Sequence, residues 1–388
     1  MSKSKHSKYP FFLNTETLAS SRLSARPHVG QGVRVGLIGL VLLLFFAGSV
    51  LIAHEGDVTT FIMIGSVFQQ GNPEGKYGYD GQFAYYIASD PSEAPGKIDD
   101  PAYRYQRILY PFLAWLISFG GKQSLLPWVM LMINILAVAV SIGLLGEILA
   151  ERGVPPWHAL AYLFSAGLLI SLRADLNEPL AVLWALLGMI LAYKKKWLLA
   201  GLSFALGILA KEIAVTFALG VVMWLFFERR FRVGLVLLAT SLLPAILWGI
   251  FLTAWLGHSP LGADQAAMEI VPFYGLLFIG ISPAKVVILL WVAVPAIVYG
   301  LVGTFDLFKG RDTLEVFVLL AGVALIAFMP RLTWYNAAGA LRAAVPLVAV
   351  SLMYTASRWP RLVSWIGAYW VASGLVMIPM MVFGPFVN

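Results

Sequence analysis

The chain has 388 residues, of which 60% are hydrophobic and only 12% charged, with a net charge of +7 and no cysteine. Soluble domains carry roughly 25% charged residues, so much of this surface is built to face something other than water. A disordered, collagen-like or disulfide-stapled chain is excluded, as are thiolate metal sites and thiol nucleophiles.

Residues 1–34 hold six Lys and Arg against Glu16 alone and are rich in serine. They read as a disordered cytoplasmic tail, placing the positive charge opposite membrane rather than nucleic acid. The first apolar run, 35–53, has no small-residue cleavage site after it and reads as a retained signal-anchor. Apolar runs then recur at 125–148, 154–172, 179–193, 197–210, 213–227, 233–256, 286–305, 314–329, 343–356 and 362–384. With roughly 20 apolar residues per crossing, and shorter runs allowed where polar groups line a protein cavity, the expectation is an all-α polytopic protein of about 11 spans. Residues 35–388 form one transmembrane domain. The run 108–121 is too short to cross and reads as an interfacial or re-entrant helix.

Threading from a cytoplasmic N-terminus puts 17 of the 27 Lys and Arg on the inner side, the asymmetry that orients membrane proteins. Trp128, Trp157, Trp197, Trp255, Trp334 and Trp359 fall at span ends, where interface anchors belong. The shorter spans are cut by polar groups at their outer ends: Arg173, Asp175, Asn177 and Glu178, then Lys211 and Glu212, then Arg331 and Arg342. An ionisable group at that depth costs about 2.5–3.5 kcal/mol unless it faces water or a partner. A water-filled cavity open to the outside is expected there. Capping is the plain alternative for Glu178, and a self-neutralising pair for Lys211 and Glu212.

The one long outer loop, 54–124, carries eight carboxylates. Within it, YDGQFAYYIA (79–88) spaces aromatics at 79, 83 and 86, a helical stripe expected to lie on the membrane surface. Gly78 and Gly81 bracket Asp80, which permits a close approach or an unusual turn. RYQRILYPFLAWL (104–116) puts Arg104 and Arg107 ahead of an apolar run, which suits phosphate binding as well as simple anchoring. There is no G-x-S-x-G, Walker loop, H-E-x-x-H or dinucleotide fingerprint. No segment is long enough for a soluble nucleotide-binding domain, so an activated substrate would have to come from the membrane.

In order and topology these segments resemble the GT-C superfamily of multi-spanning glycosyltransferases, nearest to its PIG-V-like mannosyltransferase branch. YDGQFAYYIA is similar to that branch's W-D-x-x-[FY]-x-x-I-A stretch, with Tyr79 in place of Trp. RYQRILYPFLAWL resembles its F-F-P-L-Y-P-L-L stretch. NEPLAVLWALLGMILAY (177–193) resembles S-E-x-L-F, with Asn177 for Ser. AGLSFALGILAKEIAV (200–215) is similar to the G-L-A-x-L-T-K-E helix, and GALRAAVPLVAVSLMY (339–354) to the closing R-x-x-x-P helix. No soluble C-terminal domain follows the last span, another departure.

The resemblance implies transfer of a sugar from a polyprenyl-phosphate donor to a glycan, lipid or protein acceptor on the extracytoplasmic face of the plasma membrane. Asp80 is then the expected base, with Asp57 the alternative. Lys211, Arg342 and Arg104 or Arg107 would hold the donor phosphate, and Glu178 and Glu212 would orient cations or sugar hydroxyls. No cofactor is implied and no metal site is expected, although Asp57 and Asp80 together could hold a divalent cation. Replacing Lys211 or Arg342 by an uncharged residue is expected to leave thermal stability unchanged or raised. A transporter or flippase of lipid-linked sugars, or a non-catalytic membrane subunit, are the competing possibilities.

Overall fold

The computed structural model describes residues 29–263 and 267–383. The tail expected at 1–34 therefore lies outside them up to residue 28, and its last residues already belong to a helix, Val29–Ala53. Among the described residues every regular element is helical. Five helices are long and apolar enough to cross a membrane: Gly30–Ala53, Leu126–Ala150, Phe231–Leu256, Pro283–Phe308 and Pro360–Ile378. A sixth results if Ala337–Ala343 and Val345–Arg358, bent by 41°, count as one. This is a membrane-embedded helical protein.

Four further apolar helices, Glu178–Tyr193, Trp197–Ala210, Glu212–Phe227 and Leu314–Ala327, have 10–17 residues. At 1.5 Å per residue the 16-residue Glu178–Tyr193 helix is roughly 24 Å long, short of a 30 Å hydrocarbon layer. Its interior position accounts for this: Ala181, Val182, Ala185, Leu186 and Met189 are all sealed from solvent by other helices. The Phe231–Leu256 helix is the opposite case. Only 17% of its apolar window is buried, so it presents hydrocarbon outward along most of its length.

The segment 154–172, expected as one span, is broken. A 3-10 turn Pro156–Ala159 and a short helix Leu160–Leu163 stop before Ser165, and a second helix runs Ala166–Arg173. The Ala166 N–H freed by the break donates to Ser373 Oγ at 3.0 Å. The Phe164 carbonyl lies against Gly374, where a Cβ would collide with it. A neighbouring helix therefore supplies both the partner and the room, which makes non-helical backbone tolerable at depth. Glycines also bring the first two long helices together. A Cβ on Gly32 would sit 2.6 Å from the Gly143 carbonyl, and one on Gly36 2.9 Å from that of Ala139, a small-residue contact common between membrane helices.

Two other expectations are corrected. The aromatic stripe of 79–88 does not lie on an outer surface: in the helix Gly81–Ser89, Phe83 is 1% and Tyr86 8% exposed. They pack among Ile98, Tyr105 and Leu252, so the loop folds over its own aromatics. Trp334 is no interface anchor either, because it is fully buried beside Phe273 and against Gly275. Trp128, Trp157 and Trp255 are exposed as anchors would be.

Charged side chains gather at two separated ends of the bundle. At one end Arg152 pairs with Glu315, which also accepts from Tyr193 OH at 3.0 Å, while Asp306 accepts from Arg358 and Arg311. Tyr193 ends the helix that Glu178 begins, so the groups around Glu178 occupy the other end.

Candidate functional site

The site is assembled from the long loop and three helix breaks. Gln82, fully buried, staples the loop: its Oε1 accepts from Gly65 N at 3.0 Å and its Nε2 donates to the Tyr77 carbonyl at 2.8 Å. Gly78 takes φ +78° with backbone packed on both sides, a conformation and a space that require glycine. Gly81 lies directly against the Ala174 carbonyl. The close approach permitted by these glycines is thus to the protein's own backbone. It fixes the start of the Gly81–Ser89 helix on the turn that precedes Glu178.

Asp80 occupies the N-cap position of that helix but its carboxylate caps nothing. It reaches Arg104 Nη1 at 3.2 Å and Arg342 Nη1 at 3.0 Å. Arg104 is held from behind by Asp99 through two bonds of 2.8 and 2.6 Å, and its guanidinium lies 4.2 Å from the Phe83 ring. Arg342 also donates from Nη1 to Tyr79 OH at 2.9 Å and from Nε to Glu178 Oε1 at 2.7 Å. The helix carrying Arg342 is capped by Asn336, whose Oδ1 accepts from Gly339 N.

Lys211 stands at the break between Trp197–Ala210 and Glu212–Ala214, in extended backbone. Its Nζ donates to Glu178 Oε1, and Glu178 is 0% exposed. Glu212 turns the other way and binds Arg107 through two bonds, 2.9 and 2.7 Å. The adjacent Lys211 and Glu212 therefore do not neutralise one another; each finds a partner from a different segment. Glu178 likewise is not a simple helix cap, since it is shared by Lys211 and Arg342. Asn177 closes the break by donating to the Ala210 carbonyl at 3.2 Å.

Four cations and four carboxylates (Asp80, Asp99, Glu178, Glu212) thus form one neutral array. Burial acts to raise the Asp80 carboxyl, but the Arg104 and Arg342 guanidinium groups outweigh it and hold it well below the usual carboxylate range. The same opposition, with Arg104 the dominant partner, lowers Asp99. Asp80, Phe83, Arg104, Arg107, Asn177 and Arg342 line a cavity of about 20 Å³, room for a water molecule and no more.

Of the residues singled out in sequence, Asp80, Arg104, Arg107, Glu178, Lys211, Glu212 and Arg342 come together. Asp57 does not. It is exposed and caps the 3-10 turn Val58–Phe61, accepting from Thr59 N at 2.8 Å and from Thr59 Oγ1. Its carboxylate serves that turn while Asp80 serves two arginines, so the two do not form a cation site. Among the described residues no group of three or more His, Asp or Glu is placed to hold a metal.

Sequence reasoning missed Asp99, whose only signal was its position five residues before Arg104. It also left Asp175 without a partner. Asp175 is fully buried at φ +52° and its Oδ1 accepts from Tyr110 OH and Asn134 Nδ2, both at 2.7 Å. These bonds come from residues 65 and 41 positions away, which no local pattern announces. Comparisons of the chain with protein family models, with curated proteins and with solved structures give no match.

Proposed function

We propose that the protein is a GT-C-type glycosyltransferase moving a sugar from a polyprenyl-phosphate donor to an acceptor hydroxyl. The convergence of seven expected site residues from four separate segments, four of them (Asp80, Arg104, Arg107 and Arg342) lining one water-sized cavity, carries this proposal. In a chain so poor in charge, scattered anchors would not meet. The finer topology belongs to the same proposal: about 11 spans, the N-terminus in the cytoplasm, and the cluster on the extracytoplasmic side of the plasma membrane.

The chemistry follows from charge balance. The donor is a phosphodiester with one negative charge. Asp80 and Glu178 are each held by single contacts to two cations, but Asp80 is 31% exposed against 0% for Glu178 and so is the one of the two that an incoming ligand can reach. A donor phosphate taking its place supplies Arg104 and Arg342 with the same single negative charge and releases Asp80. Freed of the arginines, the carboxylate regains ordinary basicity and accepts the acceptor's hydroxyl proton. The hydroxyl oxygen attacks the anomeric carbon, the bond from that carbon to the phosphate oxygen breaks, and polyprenyl phosphate leaves with a second negative charge. Arg104, Arg342 and Lys211 stabilise that added charge. Glu178 sets the Arg342 and Lys211 heads in place, as Asp99 does for Arg104.

The test is transfer by the purified protein supplied with radiolabelled polyprenyl-phosphate sugar. Asp80→Asn should lower turnover by at least ~100-fold with folding intact, since Arg104 and Arg342 keep Asp99 and Glu178. Asp57→Asn should leave turnover near normal. Full activity of Asp80→Asn, or movement of label across the bilayer without transfer, would remove the proposal.

A further inference from the structure

At the end of the bundle away from Asp80, an apolar groove of about 310 Å³ opens between three helices. Val294, Val298 and Val302 from one helix, Ile366 from another, and Trp359 and Leu362 line it. Its polar groups are spent internally. Tyr299 OH and Thr355 Oγ1 bond each other at 3.0 Å, and Trp370 Nε1 donates to Ser351 Oγ at 3.0 Å. Tyr369 OH donates to the Leu290 carbonyl, which a π-helical turn at Leu289–Ala293 leaves available. What remains is a dry slot suited to a hydrocarbon chain.

The mouth of the slot is basic. Arg358 and Arg361 flank Trp359 and Leu362, and Arg358 stacks 5.1 Å from the Trp359 ring. Arg311 and Arg358 converge on Asp306, at 3.2 and 3.1 Å, and Lys309 lies between Asp306 and Arg311 in sequence. Of these four cations Arg311 and Arg358 share the single carboxylate Asp306, and Arg361 is exposed with no ion pair among the described residues. Basic pockets beside membrane helices attract anionic headgroups, at about 1 kcal/mol per Lys or Arg.

We propose that this groove seats an acyl chain of an anionic glycerophospholipid from the surrounding membrane, with its phosphate held at the mouth by Arg361 and Lys309 beside Arg358 and Arg311. The donor lipid of the proposed transferase is a poor occupant here. Arg342 stands beside the bend of the helix pair and Arg358 at its far end, 16 residues on and roughly 24 Å away at 1.5 Å per residue. The lipid site does not depend on the transferase reaction.

Native mass spectrometry of the full-length protein, released from bilayer nanodiscs of phosphatidylcholine containing a minor fraction of phosphatidylglycerol, tests this. Wild type should retain one phosphatidylglycerol, preferred over phosphatidylcholine by roughly tenfold. The double variant Lys309→Gln with Arg361→Gln should keep a lipid adduct but lose the preference. Val298→Trp, or Val302→Phe should the first not fold, should lose adducts of both lipids while keeping its thermal transition. Equal retention of the two lipids by wild type, an undiminished preference in the double variant, or an adduct persisting in the folded groove-filling variant would overturn the proposal. Displacement of the lipid by polyprenyl phosphate at equal concentration would also overturn it, assigning the groove to the donor.

Discussion

Glu178 is fully buried and holds two cations on a single oxygen, Lys211 Nζ and Arg342 Nε both donating to Oε1. Removing one side of a buried ion pair costs about 3–5 kcal/mol because the other side is left uncompensated. Glu178→Gln keeps the shape but strands Lys211 and leaves Arg342 with Asp80 alone, so its melting temperature should fall more than that of Lys211→Met, in which Arg342 still balances Glu178. A differential thermal melt of both variants checks the order. Lys211→Met should itself melt below wild type, which reverses the expectation that losing this charge would be neutral or stabilising: the sequence could not show that Lys211 had a buried carboxylate to abandon. Asp80 and Asp99 add a pH dependence. Their folded-state carboxyls titrate below the ordinary aspartate value of 3.8, so the stability they contribute is fully present above that value and is lost as pH falls through their lowered folded values. Thermal melts should therefore be flat in these groups' contribution above about pH 5 and decline in acid, and Asp99→Asn should shallow the acid limb.

At the scale of the element, the helix Gly81–Ser89 positions Asp80 only because its first residue has no side chain. A Cβ at Gly81 would collide with the Ala174 carbonyl, whereas one at Gly96 would meet nothing within 4 Å. Gly81→Ala should displace the helix start from the 174–177 turn, lowering both the melting temperature and transfer, by about 1–3 kcal/mol of overpacking. Gly96→Ala should do neither, and parallel melts and turnover assays of the pair decide it. Most helix ends were legible in sequence for a similar local reason. Lys194–Lys196, Lys211 and Arg229–Arg230 interrupt apolar runs, and the observed helices end at Tyr193, Ala210 and Phe227. The break at Phe164–Ser165 had no such mark, because its freed N–H is satisfied by Ser373, 207 residues away. The burial of Phe83 and Tyr86 was equally silent: a helical aromatic stripe has the same spacing whether lipid or protein covers it.

For the whole molecule, the two charged ends make a topological prediction. Arg152, Glu315 and Ser357 meet at one end; Asp80, Glu178 and Arg342 meet at the other. A reporter fused after Lys196 should be cytoplasmic and one inserted near Gly96 extracytoplasmic. Accessibility labelling on intact and opened cells measures this, and both reporters on one side would separate the Asp80 cluster from the compartment proposed for its substrates.

Most helical segments, the lipid-compatible composition and the polar residues that interrupt it can be read from the sequence alone, the break at Phe164–Ser165 excepted. Hydropathy, charge and helix breaking act over a few neighbouring positions, so a single pass along the chain reads them. The pairing is set by how the helices pack: Lys211 with Glu178 rather than Glu212, Arg107 with Glu212, and Asp80 shared between Arg104 and Arg342 while Asp57 stays apart. Coulomb and hydrogen-bond energies depend on distances in space. The Arg342–Glu178 contact joins residues 164 positions apart, which the packing of the helices alone brings within 3 Å.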